Sequence, residues 1–128
     1  MGLFQGLFGN SNDQPEQGNV DWNSLHNISQ LQEIMKDSSQ KPAIIFKHST
    51  RCGISRMTLR RFEQEFGLQD KVTPYFLDLL AHRDVSDAIS QQFYVQHQSP
   101  QLLLIVDGKC VYNESHEGID AAELGQRL

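Results

Sequence analysis

Apolar residues of the chain gather in three short, nearly continuous runs that are typical of strands covered on both faces. These runs are "PAIIFKH", "VTPYFLDLL" and "QLLLIV", and a weaker segment, "NVDWNSL", predicts a short edge strand with Trp22 packed inward. Pro74 fits only near the start of its strand, where no ladder donor is lost. Asp107 and Gly108 separate the third run from "KCVYNES", which predicts a hairpin with a two-residue turn of positive φ.

Four other segments repeat apolar residues at helical spacing and predict helices. Predicted N-caps are Asn27, with Gln30 reaching back, Asp84, and Asp120, with Glu123 reaching back. One further helix begins at or just after Cys52. The first predicted helix has Ile28, Leu31, Ile34 and Met35 on its inner face. The helix after Cys52 has Leu59, Phe62 and Phe66 on its inner face and ends at Gly67. The third has Val85, Ala88, Ile89 and Phe93 on one face, and in the last Ile119 packs against Leu124.

The order of these elements predicts an α/β fold, a small mixed sheet with helices on both faces. Strands joined by crossover helices require a parallel portion, and the hairpin adds antiparallel strands. Ligands of such sheets bind beyond the carboxyl ends of the parallel strands. Cys52 follows the "PAIIFKH" strand directly and is therefore predicted to lie at that edge.

Composition and charge narrow the function classes. The chain of 128 residues suits one domain. Residues 1–19 are rich in Gly, Asn and Gln and predict a flexible N-terminal tail before a domain at 20–128. The formal net charge of -5 argues against nucleic acid as partner, and no run reaches transmembrane length. Two cysteines without secretory features indicate a reducing compartment, the cytoplasm.

Cys52 is the candidate nucleophile. A helix start carries unpaired N–H groups and a partial positive charge, which favour the thiolate, the reactive form of cysteine. Arg51 and Arg56 add positive charge, as would a protonated His48. The alternative, a buried cysteine acting as a small apolar residue, fits the polar segment "HSTRCGIS" poorly. Cys110, between Lys109 and Val111 in the hairpin, is predicted to have a packing role.

Ser55 stands where a two-cysteine redox site would have its second thiol. Its hydroxyl cannot form a disulfide, although it can hydrogen-bond a neighbouring thiolate; the alternative is a solvated serine of the first helical turn. A mixed disulfide on Cys52 must then be resolved by another thiol. Pro100, directly before a strand, marks a turn. A cis bond would leave Ser99 free to pair with an extended substrate, and a trans strand-entry proline is the alternative.

Three blocks in this order resemble a known family. "IIFKHSTRCGIS", "YFLDLLAHRDVS" and "HQSPQLLLIVDGK" are similar to the YtxJ-type monothiol bacilliredoxins of the thioredoxin superfamily, from about Trp22 onward. The resemblance implies a thioredoxin-like fold, with Cys52 as the active thiol, Ser55 as the motif serine and Pro100 as the cis-proline. It also implies a thiol-disulfide oxidoreductase that removes bacillithiol from S-bacillithiolated cytosolic proteins.

The resemblance assigns further roles. Free bacillithiol would regenerate Cys52 as a co-substrate, with no other cofactor. Bacillithiol carries malate and amine groups, and guanidinium forks suit its carboxylates. Gly53 departs from the Pro or Ser that often follows the cysteine and loosens the loop. His97 and Gln98 are predicted to be loop residues near the substrate turn, with contact to a ligand as the alternative. Arg60 and Arg61 are predicted to lie on a solvated face. The candidate substrate-binding residues are Thr50, Arg51, Gly53, Arg56, Ser99 and Pro100.

Two other functions remain open at this point. A thiol peroxidase of the same fold would use a hydroxyl and an arginine, for which Thr50 and Arg51 stand near Cys52. A non-catalytic thioredoxin-fold module would bind a partner without thiol exchange. His48 and Cys52 do not belong to a four-ligand metal motif, so no metal is predicted. Protein substrates, a resolving role for Cys110 and the oligomeric state are left open.

Overall fold

The computed structural model describes residues 20–128, so the predicted tail at 1–19 lies outside the described residues. Five strands and four α-helices alternate along them. In chain order they are β1 (Asn23–Ser24), α1 (Ser29–Asp37), β2 (Ala43–His48), α2 (Gly53–Glu65), β3 (Thr73–Asp78), α3 (Arg83–Phe93), β4 (Gln101–Val106), β5 (Lys109–Ser115), a 3-10 turn (His116–Gly118) and α4 (Ala121–Gln126). None of these helices is long and apolar enough to cross a membrane.

The sheet is mixed, with the strand order β1-β3-β2-β4-β5. Strands β1, β3 and β2 run parallel, whereas β4 is antiparallel to β2 and β5 is antiparallel to β4. All six residues of β2 are buried, as expected for a central strand covered on both faces. The predicted α/β class, the short edge strand and the hairpin are therefore confirmed.

Alternate residues of the central strands enter two separate cores. Ala43 and Ile45 of β2 face α1 and α3, which contribute Leu31, Ile34, Val85, Ile89 and Phe93. Ile44 and Phe46 face α2 and α4, which contribute Phe62, Ala121 and Leu124. Trp22 packs on the second face, with ring centroids 5.9 Å from Phe46 and 6.2 Å from Phe62. Helices therefore pack on both faces of the sheet, and this packing positions the loops at the ends of the strands.

Most of the predicted local signals are present. Asn27 Oδ1 accepts a hydrogen bond from the Ser29 N–H at 2.8 Å, and Gln30 Oε1 accepts one from the Asn27 N–H at 3.0 Å. Asp107 and Gly108 have φ angles of 52° and 76°, which permit the tight hairpin. Asp120 caps α4 through the N–H groups of Ala122 and Glu123, whereas the Glu123 carboxylate pairs with Arg127.

Three local predictions were wrong. Asp84 is not an N-cap: α3 already begins at Arg83, and the Asp84 carboxylate accepts the N–H of Val85 at 2.9 Å. Ile28 is 46% exposed, because the chain at Ile28 still precedes the regular part of α1. The Glu123 side chain does not reach back to complete a capping box, because its carboxylate pairs with Arg127 at 2.9 Å. Helix α2 ends at Glu65, and Gly67 follows its C-cap residue Phe66, as predicted.

Candidate active site

Cys52 lies at the junction between β2 and α2, at the carboxyl end of the central parallel strand. It has extended backbone angles, φ -107° and ψ 120°, and is the N-cap residue of α2. Its N–H donates to Ser49 O at 3.2 Å, and its carbonyl accepts the N–H of Arg56 at 3.1 Å. The thiol is free and the residue is half-buried. Cys52 is therefore at the helix start and within reach of solvent, as the sequence predicted.

Ser55 turns inward from the first turn of α2 and is fully buried. Its hydroxyl contacts the ring Nδ1 of His48 at 2.8 Å and accepts the N–H of Ser49 at 3.1 Å. The tautomer of His48 decides whether the Ser55 hydroxyl donates to Nδ1 or accepts from it. Neither partner is the Cys52 sulfur, and the solvated-serine alternative was wrong. Ser55 ties the last residue of β2 to the helix that begins at the cysteine.

His48 is an uncharged part of this junction. Burial lowers the pKa of His48, a field from Arg56 lowers it further, and Asp78 opposes both. The ring packs against Phe76 with centroids 5.5 Å apart. A neutral imidazole adds no positive charge beside Cys52, so the nearby cations are Arg51 and Arg56.

Two clefts flank Cys52, one on each side of it in the chain. The α2 cleft has a volume of about 490 Å³ and is lined by Gly53, Arg56, Met57, Arg60, Arg61 and Gln64. The β3–α3 cleft has a volume of about 410 Å³ and is lined by Thr50, Arg51, Asp78, Leu80, Ala81 and Arg83. The predicted substrate residues are therefore divided: Thr50 and Arg51 line one cleft, Gly53 and Arg56 the other.

Gly53 has ordinary space around it. A Cβ atom added there would lie 3.8 Å from Arg56 Nη2, which is a normal van der Waals distance. Arg56 itself is turned across the loop, since its Nη1 donates to the Thr50 carbonyl at 3.2 Å. Glycine after the cysteine is therefore not required by a close approach.

The bond between Ser99 and Pro100 is cis, as the family resemblance implied. Pro100 is buried and its carbonyl accepts the N–H of His116 at 3.1 Å. The next residue, Gln101, pairs with Lys47 in the antiparallel register of β4 on β2. Continuing this register brings Pro100 alongside His48, at the sheet end where the Cys52 loop emerges. Ser99 Oγ is buried there without a hydrogen-bond partner among the described residues.

A buried lysine beneath the proline turn was missed by the sequence reasoning. Lys47 has no exposed surface, and its Nζ lies 2.7 Å from His97 Nδ1. Burial lowers the pKa of Lys47 to about 8, against an opposing effect of Asp87. Burial first, and then Lys47, lowers the pKa of His97. At neutral pH the Lys47 ammonium therefore donates to the neutral imidazole of His97. The sequence signal that could have indicated this buried lysine is the charged residue inside the apolar run "AIIFKH".

Cys110 belongs to the opposite end of the sheet. It pairs with Ile105, which pairs with Ala43 at the start of β2. Five residue steps along β2 separate Ala43 from His48, or roughly 16 Å, whereas a disulfide requires Cα atoms within about 7 Å. The Cys110 thiol donates to Tyr112 O at 3.3 Å, and burial raises its pKa. The predicted packing role agrees with this position.

Metal binding has no support in the described part of the chain. Within residues 20–128, no group of three or more His, Cys, Asp or Glu side chains is placed to hold a metal ion.

Comparison with known proteins agrees with this geometry. The family model of the monothiol bacilliredoxin BrxC matches residues 23–124. A solved structure described as a candidate oxidoreductase with a thioredoxin fold has 31% identity and a TM-score of 0.70, over 80% of this chain and 89% of that chain.

Two thioredoxins are similar in fold alone. The protein from Malassezia sympodialis has 16% identity and a TM-score of 0.66, with 86% of this chain and 90% of that chain covered. The protein from Fasciola hepatica has 16% identity and a TM-score of 0.60, with 81% and 93% covered. Because the bacilliredoxin model spans most of the described domain, the chain belongs to the monothiol bacilliredoxin family and is a thiol-disulfide oxidoreductase with a thioredoxin fold.

Proposed function

We propose that this protein removes bacillithiol from S-bacillithiolated proteins in the cytoplasm, through a mixed disulfide on Cys52. The observation that carries the proposal is the position of the two thiols. Cys52 is half-buried at the β2–α2 junction, and Cys110 pairs with Ile105 at the opposite end of the sheet. A disulfide formed on Cys52 therefore has no internal thiol within reach to resolve it.

The exchange takes place in two balanced steps. The Cys52 thiolate attacks the bacillithiol sulfur of the mixed disulfide, so that a Cys52–bacillithiol bond forms and the sulfur–sulfur bond to the protein breaks. The protein sulfur leaves with the electron pair and takes up a proton. A free bacillithiol thiolate then attacks the adduct, which yields bacillithiol disulfide and restores the Cys52 thiolate. Bacillithiol is thus a co-substrate, and the scheme needs no further cofactor.

Several residues support this chemistry in distinct ways. Cys52 lies at the positive end of the α2 dipole, and Arg51 and Arg56 stand close to it in the chain, so positive groups surround the sulfur that exchanges. Ser55 is a positioning residue, since its hydroxyl joins His48 to Ser49 across the loop that carries the cysteine.

The remaining candidate residues are proposed to bind substrate. Thr50 and Gly53 present backbone and small side-chain surface on either side of the thiol. Ser99 and Pro100 offer the backbone groups of the proline turn to an extended substrate, in the way that an added strand pairs with an exposed edge.

Intact mass spectrometry of the full chain mixed with oxidised bacillithiol tests the proposal. We expect one bacillithiol adduct on the native protein and on Cys110→Ser, the matched control, and none on Cys52→Ser. Added free bacillithiol should remove the adduct. An internal Cys52–Cys110 disulfide, or an adduct that persists on Cys52→Ser, would refute the single-thiol scheme.

The same preparation separates the other two functions. Peroxide consumption that exceeds the rate of bacillithiol removal from a bacillithiolated protein would identify a peroxidase, with Thr50 and Arg51 as its polar residues. A Cys52 thiol that reacts with neither substrate would indicate a non-catalytic binding module.

A further inference from the structure

The residues on the two sides of Cys52 open onto different clefts, so the two halves of a disulfide have separate places to lie. Thr50 and Arg51, before the cysteine, line the β3–α3 cleft, and Gly53, after it, lines the α2 cleft. Thiol exchange requires the attacking, central and leaving sulfur atoms to lie nearly in line. The two substituents of the attacked disulfide sit on neighbouring sulfur atoms with a dihedral angle of about 90° between them, so the group that stays on Cys52 and the group that leaves diverge and can occupy different clefts.

The β3–α3 cleft has an unusual set of charges. Arg51 and Arg83 are exposed, and neither forms an ion pair within 4.0 Å with another described residue. Asp78 stands at the end of β3, where its Oδ1 accepts the N–H groups of Leu80 and Ala81 at 3.2 and 3.4 Å. The cleft therefore presents two guanidinium groups without an ion pair to a described residue, and one carboxylate that the backbone N–H groups of its turn hold in place.

The α2 cleft differs from the β3–α3 cleft in two ways: exposed apolar side chains lie beside it, and two of its arginines already donate hydrogen bonds to backbone carbonyls. Met57 is 73% exposed and Ile54, one helical turn before it, is 55% exposed. Arg56 donates to the Thr50 carbonyl, and Arg61 donates to the carbonyls of Glu117 and Ile119. Only Arg60 of its three arginines has no such contact with another described residue. The exposed Met57 and Ile54 give this side of Cys52 an apolar surface suited to a protein partner, and only one arginine here lacks a contact with another described residue, against two in the β3–α3 cleft.

We propose that the β3–α3 cleft binds the carboxylate-bearing part of the small thiol joined to Cys52, with Arg83 as the residue that selects for negative charge. Arg51 and Arg83 pair with the carboxylates, and the Asp78 carboxylate accepts a hydrogen bond from an amine of the same molecule. The protein that is released lies on the opposite side, over α2. This inference deepens the proposed function and rests on it for the identity of the thiol as bacillithiol, with its malate and amine groups.

In this arrangement Arg83, and not Arg56, is the second arginine that binds the carboxylates. Arg51 and Arg56 both flank Cys52 in sequence, but they line different clefts, whereas Arg83 follows 32 positions later and shares a cleft with Arg51. Two planar guanidinium groups in one cleft are suited to two carboxylates of one molecule, since each can form paired charge-assisted hydrogen bonds. A single arginine would not discriminate a dicarboxylate from a monocarboxylate.

Two small disulfides of similar size test charge selection apart from the identity of the thiol. Dithiodiglycolate carries two carboxylates and 2-hydroxyethyl disulfide is neutral, and the rate of Cys52 adduct formation is measured for each, together with bacillithiol disulfide. The variants are Arg83→Gln, Arg83→Lys, which keeps the charge, and Lys109→Gln. Lys109 is an exposed residue of the hairpin at the far end of the sheet, so its variant controls for the loss of one positive charge.

For Arg83→Gln we expect the rate with dithiodiglycolate and with bacillithiol disulfide to fall by about fivefold to tenfold, the effect of one charge-assisted pair. The rate with 2-hydroxyethyl disulfide should change by less than about twofold. Arg83→Lys should recover part of the loss, Lys109→Gln should show none, and the native preference should shrink as salt is raised. Equal losses with the charged and neutral disulfides, or no loss with either, would overturn the inference.

The two proposals fail in different ways. If bacillithiol disulfide reacts readily with the native chain but Arg83→Gln has no effect, the proposed function stands and the cleft assignment is wrong. If dithiodiglycolate is preferred through Arg83 but bacillithiol disulfide does not react, the cleft selects anionic thiols and bacillithiol is not the substrate.

Discussion

Replacing Lys47 with methionine is expected to stabilise the protein at neutral pH and to remove a pH dependence from its stability. Lys47 lies on the central strand without exposed surface, and its Nζ donates to His97 Nδ1 at 2.7 Å. Across this contact, α3 contributes Asp87, which favours the charged lysine, Arg83, which lowers the pKa of His97, and Ser86, whose hydroxyl lies 3.4 Å from the same imidazole nitrogen.

The magnitude follows from the pKa. Burial, the largest cause, lowers the pKa of Lys47 from its ordinary 10.5 to about 8, and each pKa unit corresponds to about 1.4 kcal/mol between the two protonation states. The penalty for the charged lysine is therefore about 3 kcal/mol at most. Because the hydrogen-bond partner of the amine, His97, is exposed, solvent screens part of this penalty, and we expect an effect of about 1–3 kcal/mol. Methionine fills a similar volume without the charge.

The direction with pH is also determined. Below about pH 8 the lysine is protonated in both states and the full penalty is present. As the pH rises from about 8 to 10.5, the folded chain releases its proton before the unfolded chain does, so native stability rises relative to that of the variant. Above 10.5 the lysine is neutral in both states, and the difference between the two proteins approaches zero.

Urea unfolding followed by the fluorescence of the single tryptophan, Trp22, measures the effect at pH 7 and at intervals up to pH 10.5. Comparing the variant with the native protein cancels the titration of other groups. Lys109→Met, at an exposed site, is the matched control and should show no such pH-dependent difference. The reasoning is refuted if Lys47→Met is less stable than the native protein at pH 7, or if their difference stays constant with pH.

Three further substitutions test the local structure by urea unfolding. Ser55→Ala should lower the free energy of unfolding by about 1–3 kcal/mol, because it leaves His48 Nδ1 and the Ser49 N–H unpaired in a buried place; an unchanged value would mean that water replaces the hydroxyl. Asp120→Ala should lower it by about 1 kcal/mol through loss of the α4 cap, whereas Asp120→Asn should retain most of it. Gly108→Ala should lower it by about 1–2 kcal/mol, since φ there is 76°, and a neutral result would show that the turn relaxes.

Local signals predicted much of this protein because each depends on near neighbours in the chain. The apolar run at 43–48 became the buried central strand, and Asp107 and Gly108 became the positive-φ turn. The failure at Asp84 has the same origin. An acidic residue before an apolar stripe is a common cap, but α3 begins one residue earlier, at Arg83, and the Asp84 carboxylate accepts the N–H of Val85 from inside the helix.

The candidate site was only partly predictable for a different reason. Cys52 could be assigned to the helix start from the change in periodicity around it. The inward turn of Ser55 toward His48 depends on how α2 packs on β2, and spacing alone left the solvated alternative open. The cis form of the Ser99–Pro100 bond followed from the family resemblance and not from any local pattern.

The sequence by itself therefore determined the order of the elements and the position of Cys52 at a strand–helix junction, because periodicity, caps and turns act over a few residues. Only the tertiary structure decided which distant residues meet. Sheet order and register bring His97 onto Lys47 and Arg83 into the cleft of Arg51, and they hold Cys110 at the opposite end from Cys52. Such contacts depend on the packing of elements far apart in the chain, which no local pattern encodes.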